Sequence, residues 1–320
     1  MKLVFSIDVE EEGLFTGEYW REPPGVENVR GLDRLEFISK EFGFPLTLLV
    51  SYRVARDARA RKVLLDWKDL RGAEIGAHLH HWSTPPFDEL PYPEPVPADR
   101  VPPALLRAKL DSLLDALRTN LGVTARSFRM GRFDLGTQVP KLLPELGLLT
   151  DSSIVPLRRT AGGPDHFMAP CEPYRLEGSD DRTPSVLEVP LTMIPLFPRT
   201  RNAVYRQSSF LPPRARDFLL TAYRHAAVVG VHPAWFSLGA MKLAANLHRA
   251  RGGHVLCMFL HSSEVHPGAT PKYRTESDVS RLVDKIRAFL AWLVRTGPVR
   301  GMTLDELRAF FDARLRRPQE

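Results

Sequence analysis

Cysteine is nearly absent: 320 residues carry only Cys171 and Cys257, far apart and outside any CxxC pair. No disulfide framework is indicated, and Cys257 within "VLCMFL" reads as a small core residue. No apolar run approaches the length that crosses a bilayer. The run at the start of "MKLVFSIDVEEE" is too short for a signal peptide and meets an acid at Asp8. The expectation is a cytoplasmic protein without a membrane span. The basic stretch "RAFFDARLRRPQE" lacks the aromatic-basic interleaving of a nucleic-acid groove and reads as a solvated helix face. Phosphate-loop and dinucleotide fingerprints are missing, and no internal repeat stands out. "LHSSE" sets serine beside histidine, but no GxSxG elbow exists to expose a nucleophile.

What is present is an ordinary soluble composition, 43% hydrophobic and 26% charged, with a net charge of +6 that suits an anionic substrate or a phosphate-bearing surface. Short β-rich runs alternate with longer amphipathic ones. "KLVFSIDV", "PLTLLVSY", "AEIGAHL", "ARSFRMGRF", "LLTDSSIV", "SVLEVPLTMI" and "HVLCMFLHSS" read as strands. Helices fall over "GLDRLEFISKEFG", "ARDARARKVLLDW", "PALLRAKLDSLLDALRTNLG", "VPKLLPELG", roughly 214–251, and "DVSRLVDKIRAFLAWLVRTG"; the run "VRGMT" and a terminal helix follow. This rhythm implies a parallel sheet with crossovers, and about seven or eight units favour a closed β/α barrel over an open sheet. The chain is read as one domain over 1–320. Two proline-rich breaks, at about 82–103 and 156–185, are expected to be long loops at strand ends, where binding loops of such barrels sit.

Alternation along a strand puts Asp8 and Glu10 on one face at the end of the first strand, and His78 and His80 on one face at the end of the third. In a parallel barrel those ends share one rim, with "FRMGRF", Asp151 and His261 contributed by later strands. Two imidazoles plus one carboxylate suit zinc or a similar first-row cation with an open position for water. A second carboxylate can take a proton from water, a histidine opposite can protonate a leaving group, and an arginine can hold the base ionised. The bland alternatives are a solvated acidic strand end, capping at "TDSS", snorkelling arginines and core histidines. His225, His232, His248 and His254 are read as structural.

Taken together, the "SIDVE" start, the "GAHLHHWSTPP" block, "FRMGRF", "TDSSIVP" and "FLHSSEVHPG" resemble the polysaccharide deacetylase (NodB-homology) superfamily, over Ser6 to about Thr275. The resemblance implies a distorted parallel β/α barrel of about seven strands and a metal-dependent hydrolase that removes N- or O-acetyl groups from sugars. By motif, Asp8 resembles the catalytic base, Glu10 the acidic metal ligand, and His78 and His80 the metal histidines. Arg129 resembles the arginine that steadies the base, with Arg132 as a helper or substrate contact. Asp151 resembles the acid that orients the arginine, and His261 the general acid. Better-known members have adjacent aspartates where this chain has Asp-Val-Glu. They also space the two histidines four apart, where this chain has Trp82, so His81 stands as a substitute for His80. Trp82 and Tyr273 are candidates to stack on a sugar. One divalent ion is implied, zinc first, with cobalt, nickel or manganese as alternatives. Two other functions stay open: an amidohydrolase of this barrel type acting on a non-carbohydrate amide, and a metal-free pseudoenzyme that binds a glycan or a partner protein. The sequence does not decide the oligomeric state.

Overall fold

A computed structural model describes residues 1–315 except positions 23, 93, 95, 161–162 and 177–184. The strands are β1 (Lys2–Val9), β2 (Leu46–Val50), β3 (Glu74–Leu79), β4 (Ser127–Met130), β5 (Thr150–Asp151), β6 (Tyr174–Arg175), β7 (Leu187–Glu188), β8 (Met193–Pro195), β9 (Val228–Gly230), β10 (Val255–His261) and β11 (Arg300–Gly301). The helices are α1 (Phe37–Phe42), α2 (Tyr52–Arg56), α3 (Ala58–Arg71), α4 (Pro103–Leu121), α5 (Val139–Leu142), α6 (Pro198–Ser208), α7 (Pro213–Ala227), α8 (Leu238–Ala250), α9 (Glu276–Arg295) and α10 (Leu304–Leu315).

Nine strands form one sheet in the order β10-β1-β2-β3-β4-β5-β7-β6, with β11 also on β1; β6 is antiparallel and the rest are parallel. The strands are buried on both faces, as the sheet of a β/α fold requires. Leu3, Phe5, Ile7 and Val9 of β1 face outward and join the large core under α3, α4 and α9. Val4 faces inward with Leu49, Val255, Cys257 and Phe259, forming a second core inside the curl.

The sheet does not close as a continuous ladder, which corrects the expectation of a closed barrel: it is a distorted, mostly parallel half-barrel. The cause is Pro190. "SVLEVPLTMI" was expected to be one strand, but Pro190 has no N–H for a ladder, and the run splits into β7 and β8. β8 leaves to pair antiparallel with β9, a strand hidden inside the stretch expected to be helical. Gly230 allows that pairing, since a Cβ there would lie 2.7 Å from the Phe236 ring and 2.9 Å from the Thr192 carbonyl. Thr192 bridges the gap: its N–H donates to the Cys257 carbonyl at 3.1 Å, and its hydroxyl accepts from the Cys257 N–H at 2.8 Å.

Other boundaries differ for similar local reasons. The fifth strand shrinks to two residues because Ser152 and Ser153 take over with side-chain bonds, Ser153 Oγ accepting from the Met130 N–H at 2.8 Å. "VPKLLPELG" stops as α5 after one turn because Pro144 cannot continue the helical ladder. "GLDRLEFISKEFG" begins as a 3-10 stretch at Glu27–Leu35 before α1, which ends at Gly43 as expected. The start of the segment after β3 is pinned by Lys109 Nζ donating at 2.6 Å to the carbonyls of Thr84 and Pro86. Part of the 156–185 break and the end of the basic tail lie outside the described residues. No described helix is long and apolar enough to cross a membrane.

The Thr192 stitch generates an expectation. Thr192→Val keeps the shape but leaves the buried Cys257 N–H without an acceptor, costing about 1–3 kcal/mol. Urea denaturation of the variant should show that loss, and an unchanged midpoint would mean the gap is closed by other contacts.

Candidate active site at the parallel strand ends

Parallel register gathers the site. Asp8 and His261 are directly opposed on β1 and β10, and His78 and Arg129 on β3 and β4. All four sit on the inner face, because they share the period-two phase of Val4, Gly76, Ser127 and Cys257. Glu10 follows two residues after Asp8, at the mouth. Its Oε2 lies 3.4 Å from His78 Nε2 and 3.4 Å from His80 Nε2. One ligand atom from each of these three buried residues falls within 4.8 Å of the others, the spacing of groups that can share a cation.

The imidazoles are aimed from behind. His78 Nδ1 faces the Arg129 carbonyl at 3.0 Å, and His80 Nδ1 faces Glu11 Oε1 at 2.9 Å. Donation from Nδ1 in each ring aims Nε2 at Glu10, so that a neutral imidazole presents its lone pair there, the usual way a histidine ligand is oriented. Glu11 is fully buried and also accepts from Ser83 Oγ at 2.6 Å and Ser51 Oγ at 2.7 Å. Burial pushes its carboxyl up, but His80 and the two hydroxyls hold it well below the usual range, at about 2. The same contacts act on His80: burial lowers it, and Glu11 and Glu10 raise it to about 10.

On the other side, Arg129 is fully buried. Its Nη1 donates to Asp8 Oδ1, its Nη2 to Ser6 Oγ and Ser152 Oγ at 2.8 Å, and its Nε to the Ser152 carbonyl at 2.7 Å. Asp8 Oδ2 remains 4.0 Å from His78 Nε2. His261 Nδ1 lies 3.2 Å from Glu264 Oε2, which also accepts from the His261 N–H at 2.9 Å. Burial lowers the imidazole, but the charges of Glu10 and Glu264 raise it to about 9. Asn28 ties the two ends together: its Nδ2 donates to the Glu10 carbonyl, Ser262 Oγ and Ser263 Oγ at 2.9–3.0 Å.

Asp8, Glu10, His78, His80, Arg129 and His261 therefore form one largely buried cluster at the strand ends. Four expected residues do not join them as anticipated. Asp151 is a correction: its register partner is Phe128, so it points to the outer face, away from Arg129. There it pairs with Glu188 and accepts from Ser153 Oγ at 2.6 Å, and the carbonyl and hydroxyl of Ser152 take its expected place at the arginine. Burial raises both carboxyls of that pair, and the neighbouring Asp151 charge raises Glu188 further. His81 turns away, its Nε2 2.7 Å from the Val96 carbonyl, and burial pulls it down to about 4. Tyr273 is buried among outer-core residues and offers no exposed face. Arg132 does not reach Asp8; it is exposed on the rim with its guanidinium 5.0 Å above the Tyr19 ring. Trp82 is buried and stacks on His80 at 4.5 Å, walling the site.

Sequence reasoning missed Glu11, Asn28, Glu264, Phe15 and Gly131. Glu11 and Glu264 stand inside the quoted motifs as unassigned acids. Gly131, inside "FRMGRF", must lack a side chain: a Cβ there would lie 2.5 Å from the His80 ring and 2.7 Å from the Leu79 carbonyl. The next two residues, Arg132 and Phe133, take left-handed backbone at φ 59° and 58°, a conformation that costs non-glycine residues energy and clusters at functional sites. Phe15 meets His261 edge-on at 5.2 Å, and no periodic signal in its loop marks it.

No family model matches the chain, and no curated protein matches it. Solved structures do. The chain has the fold of the polysaccharide deacetylases, a NodB-like distorted barrel. A protein from Mycobacterium smegmatis described as a polysaccharide deacetylase aligns over 100% of this chain and 92% of its own, at 17% identity and TM-score 0.62. One from Pseudomonas aeruginosa PAO1 described in the same terms aligns over 94% of this chain and 87% of its own, at 16% and 0.50. A structure titled Puue allantoinase covers the same shares, at 16% and 0.53.

The buried histidines predict a stability optimum in the metal-free protein. His81, His166 and His232 are held neutral by burial, at about 4, 4 and 3. Unfolding lets each take a proton below its usual value near 6.5, so each contributes stability above that pH and loses about 1.4 kcal/mol per pH unit beneath it. His80 and His261 behave oppositely, contributing below about 6.5 and losing it as pH rises toward about 9–10. Urea midpoints of chelator-treated protein should peak near neutrality. A midpoint that climbs steadily from pH 7 to 5 contradicts the assignment.

Proposed function

We propose that this chain is a metal-dependent hydrolase that removes an acetyl group, N- or O-linked, from a sugar or sugar conjugate. The observation that carries the reading is Glu10 Oε2 set 3.4 Å from both histidine Nε2 atoms, between a clamped carboxylate at Asp8 and a charged imidazole at His261. The donor set fits a first-row cation: two neutral-capable imidazoles and one carboxylate, each histidine backed by an acceptor. Glu10, His78 and His80 would hold that ion, zinc first, and it would supply Lewis acidity to water and to the acyl carbonyl.

The remaining chemistry belongs to the protein. Asp8 accepts the proton that attacking water loses as its oxygen bonds to the acyl carbon. Arg129 donates to Asp8 Oδ1 and so fixes which oxygen faces the histidines. The bond from acyl carbon to sugar nitrogen or oxygen then breaks, and His261 gives its proton to the departing atom. Glu264, 3.2 Å from His261 Nδ1, adds to the charge that favours a protonated imidazole there. Trp82 and Phe15 exclude water from the flanks, and Arg132 stands at the rim to meet substrate. Such a reaction suits a cytoplasmic precursor or conjugate.

A second reading keeps this machinery and changes the substrate to a non-carbohydrate amide. The fold shared with a structure titled allantoinase favours it.

Acetate release from a panel of N-acetyl and O-acetyl sugars by zinc- or cobalt-loaded protein tests the proposal. Asp8→Asn and His261→Ala should each lower turnover about 10²–10⁴-fold. No acetate from any sugar, with metal bound and fold intact, sinks it, and cleavage of cyclic amides alone would favour the second reading. Glu11→Gln removes the anion behind His80 and should weaken metal binding about 10–100-fold. Competition with a chelating dye measures this, and unchanged affinity would show that Glu11 does not orient the ligand.

A further inference from the structure

Beside the His261 flank of the site lies a cleft of about 790 Å³ whose polar lining is Arg158, Arg224, His225, Ser237 and Lys272, with Trp235 and apolar residues completing it. Among the described residues no carboxylate lines it. Among the described residues, neither Arg158 nor Arg224 makes a side-chain hydrogen bond or ion pair, although both are partly buried. Their guanidinium donors are free of acceptors among the described residues and not sealed from solvent, which leaves them available to an anion entering the cleft. The charges acting on Arg158 worsen its position: after burial, Arg224 and Arg132 lower it to about 10, against the smaller opposing effect of Asp134. Lys272 donates to the Ala234 carbonyl, which holds its ammonium at the same cleft.

The cleft is coupled to the site through two ring contacts. Trp235 packs edge-on against Phe259 at 4.9 Å, and Phe259 meets His261 at 5.1 Å. Phe133, with its left-handed backbone, touches Phe259 at 5.1 Å and lies under Arg158 at 5.7 Å. The buried ring of Phe259 is thus the element that stands between Trp235 at the cleft and His261 at the site.

Charge decides which anion fits. Two guanidiniums and an ammonium oversupply a single carboxylate but match a phosphate or diphosphate, whose oxygens accept several charge-assisted bonds. Trp235, 41% exposed at the cleft, offers a face for a ring.

We propose that this cleft binds the phosphate or diphosphate of a phosphorylated acyl-sugar, with Arg158 and Arg224 as direct donors, while the acylated end of the same molecule lies over Glu10, His78 and His80. The proposal rests on the deacylation reading and narrows it to a phosphorylated substrate. The net charge of the chain, +6, has the sign this requires.

Calorimetric titration with inorganic pyrophosphate tests the cleft, and deacylation of a free N-acetylhexosamine, its 1-phosphate and a nucleoside-diphosphate derivative tests the substrate. Pyrophosphate should bind the wild type and bind Arg158→Gln/Arg224→Gln about tenfold or more weakly. His78→Ala should bind it unchanged, because the cation site is not used. The phosphorylated sugars should exceed the free sugar in kcat/KM by a similar factor, and the double variant should erase that advantage. A preference for the nucleoside derivative over the 1-phosphate would place a base on Trp235, and the reverse order would place the phosphate at the sugar terminus. Arg224→Gln alone, at a partly exposed position, serves if the double variant misfolds. Equal pyrophosphate affinity in wild type and arginine variants, or equal turnover of free and phosphorylated sugars, overturns the inference. Turnover of all sugars alike leaves deacylation standing and removes the phosphate site. Pyrophosphate bound through the arginines, with no acyl sugar cleaved, does the opposite.

Discussion

Arg129 and Asp8 form the contact on which the rest of the site depends. In the sheet they lie on β4 and β1, three strands apart. Flat strands would separate them by about 14 Å, beyond the reach of one arginine side chain. The ion pair can form only because the sheet curls, so it is both a product of the curvature and a tie across it. Both partners are buried, and removing either would strand a charge at a cost of about 3–5 kcal/mol. The hydroxyls of Ser6 and Ser152 and the Ser152 carbonyl take up the guanidinium's other donors.

Around that tie, three acids in four residues face three different ways. Asp8 is still in the ladder and faces the arginine. Glu10, beyond the strand end, keeps the inner phase and faces the histidines. Glu11 leaves the strand phase and packs behind His80 with Ser51 and Ser83. A short acidic run at a strand end thus divides into a clamped carboxylate, a group open to a cation and a positioning group. None of the three is exposed.

Much of this was legible in the chain. β1, β3 and β10 announce themselves by apolar runs that end in ionisable residues, and period-two alternation put Asp8 with Glu10 and His78 with His80. Where alternation is broken, the reading failed. The strand with Pro190 became two strands in two sheets, and β9 was lost inside a helical stretch because three residues carry too little period to be seen. Asp151 was assigned to the arginine by motif, yet its register with Phe128 turns it outward. Glu11 and Glu264 were in view but unassigned, since a carboxylate's partner across a fold leaves no local signal.

The sequence by itself determined which residues point inward along each strand, because side-chain phase is a local property of the backbone. It also put acids and imidazoles at the ends of strands that would share one rim. Tertiary structure alone decided which histidines meet Glu10, what holds Arg129, and that Arg158 and Arg224 line one cleft. Those outcomes depend on how far the sheet curls and where its ladder opens. Curvature is a sum over many strand contacts, which no single segment encodes.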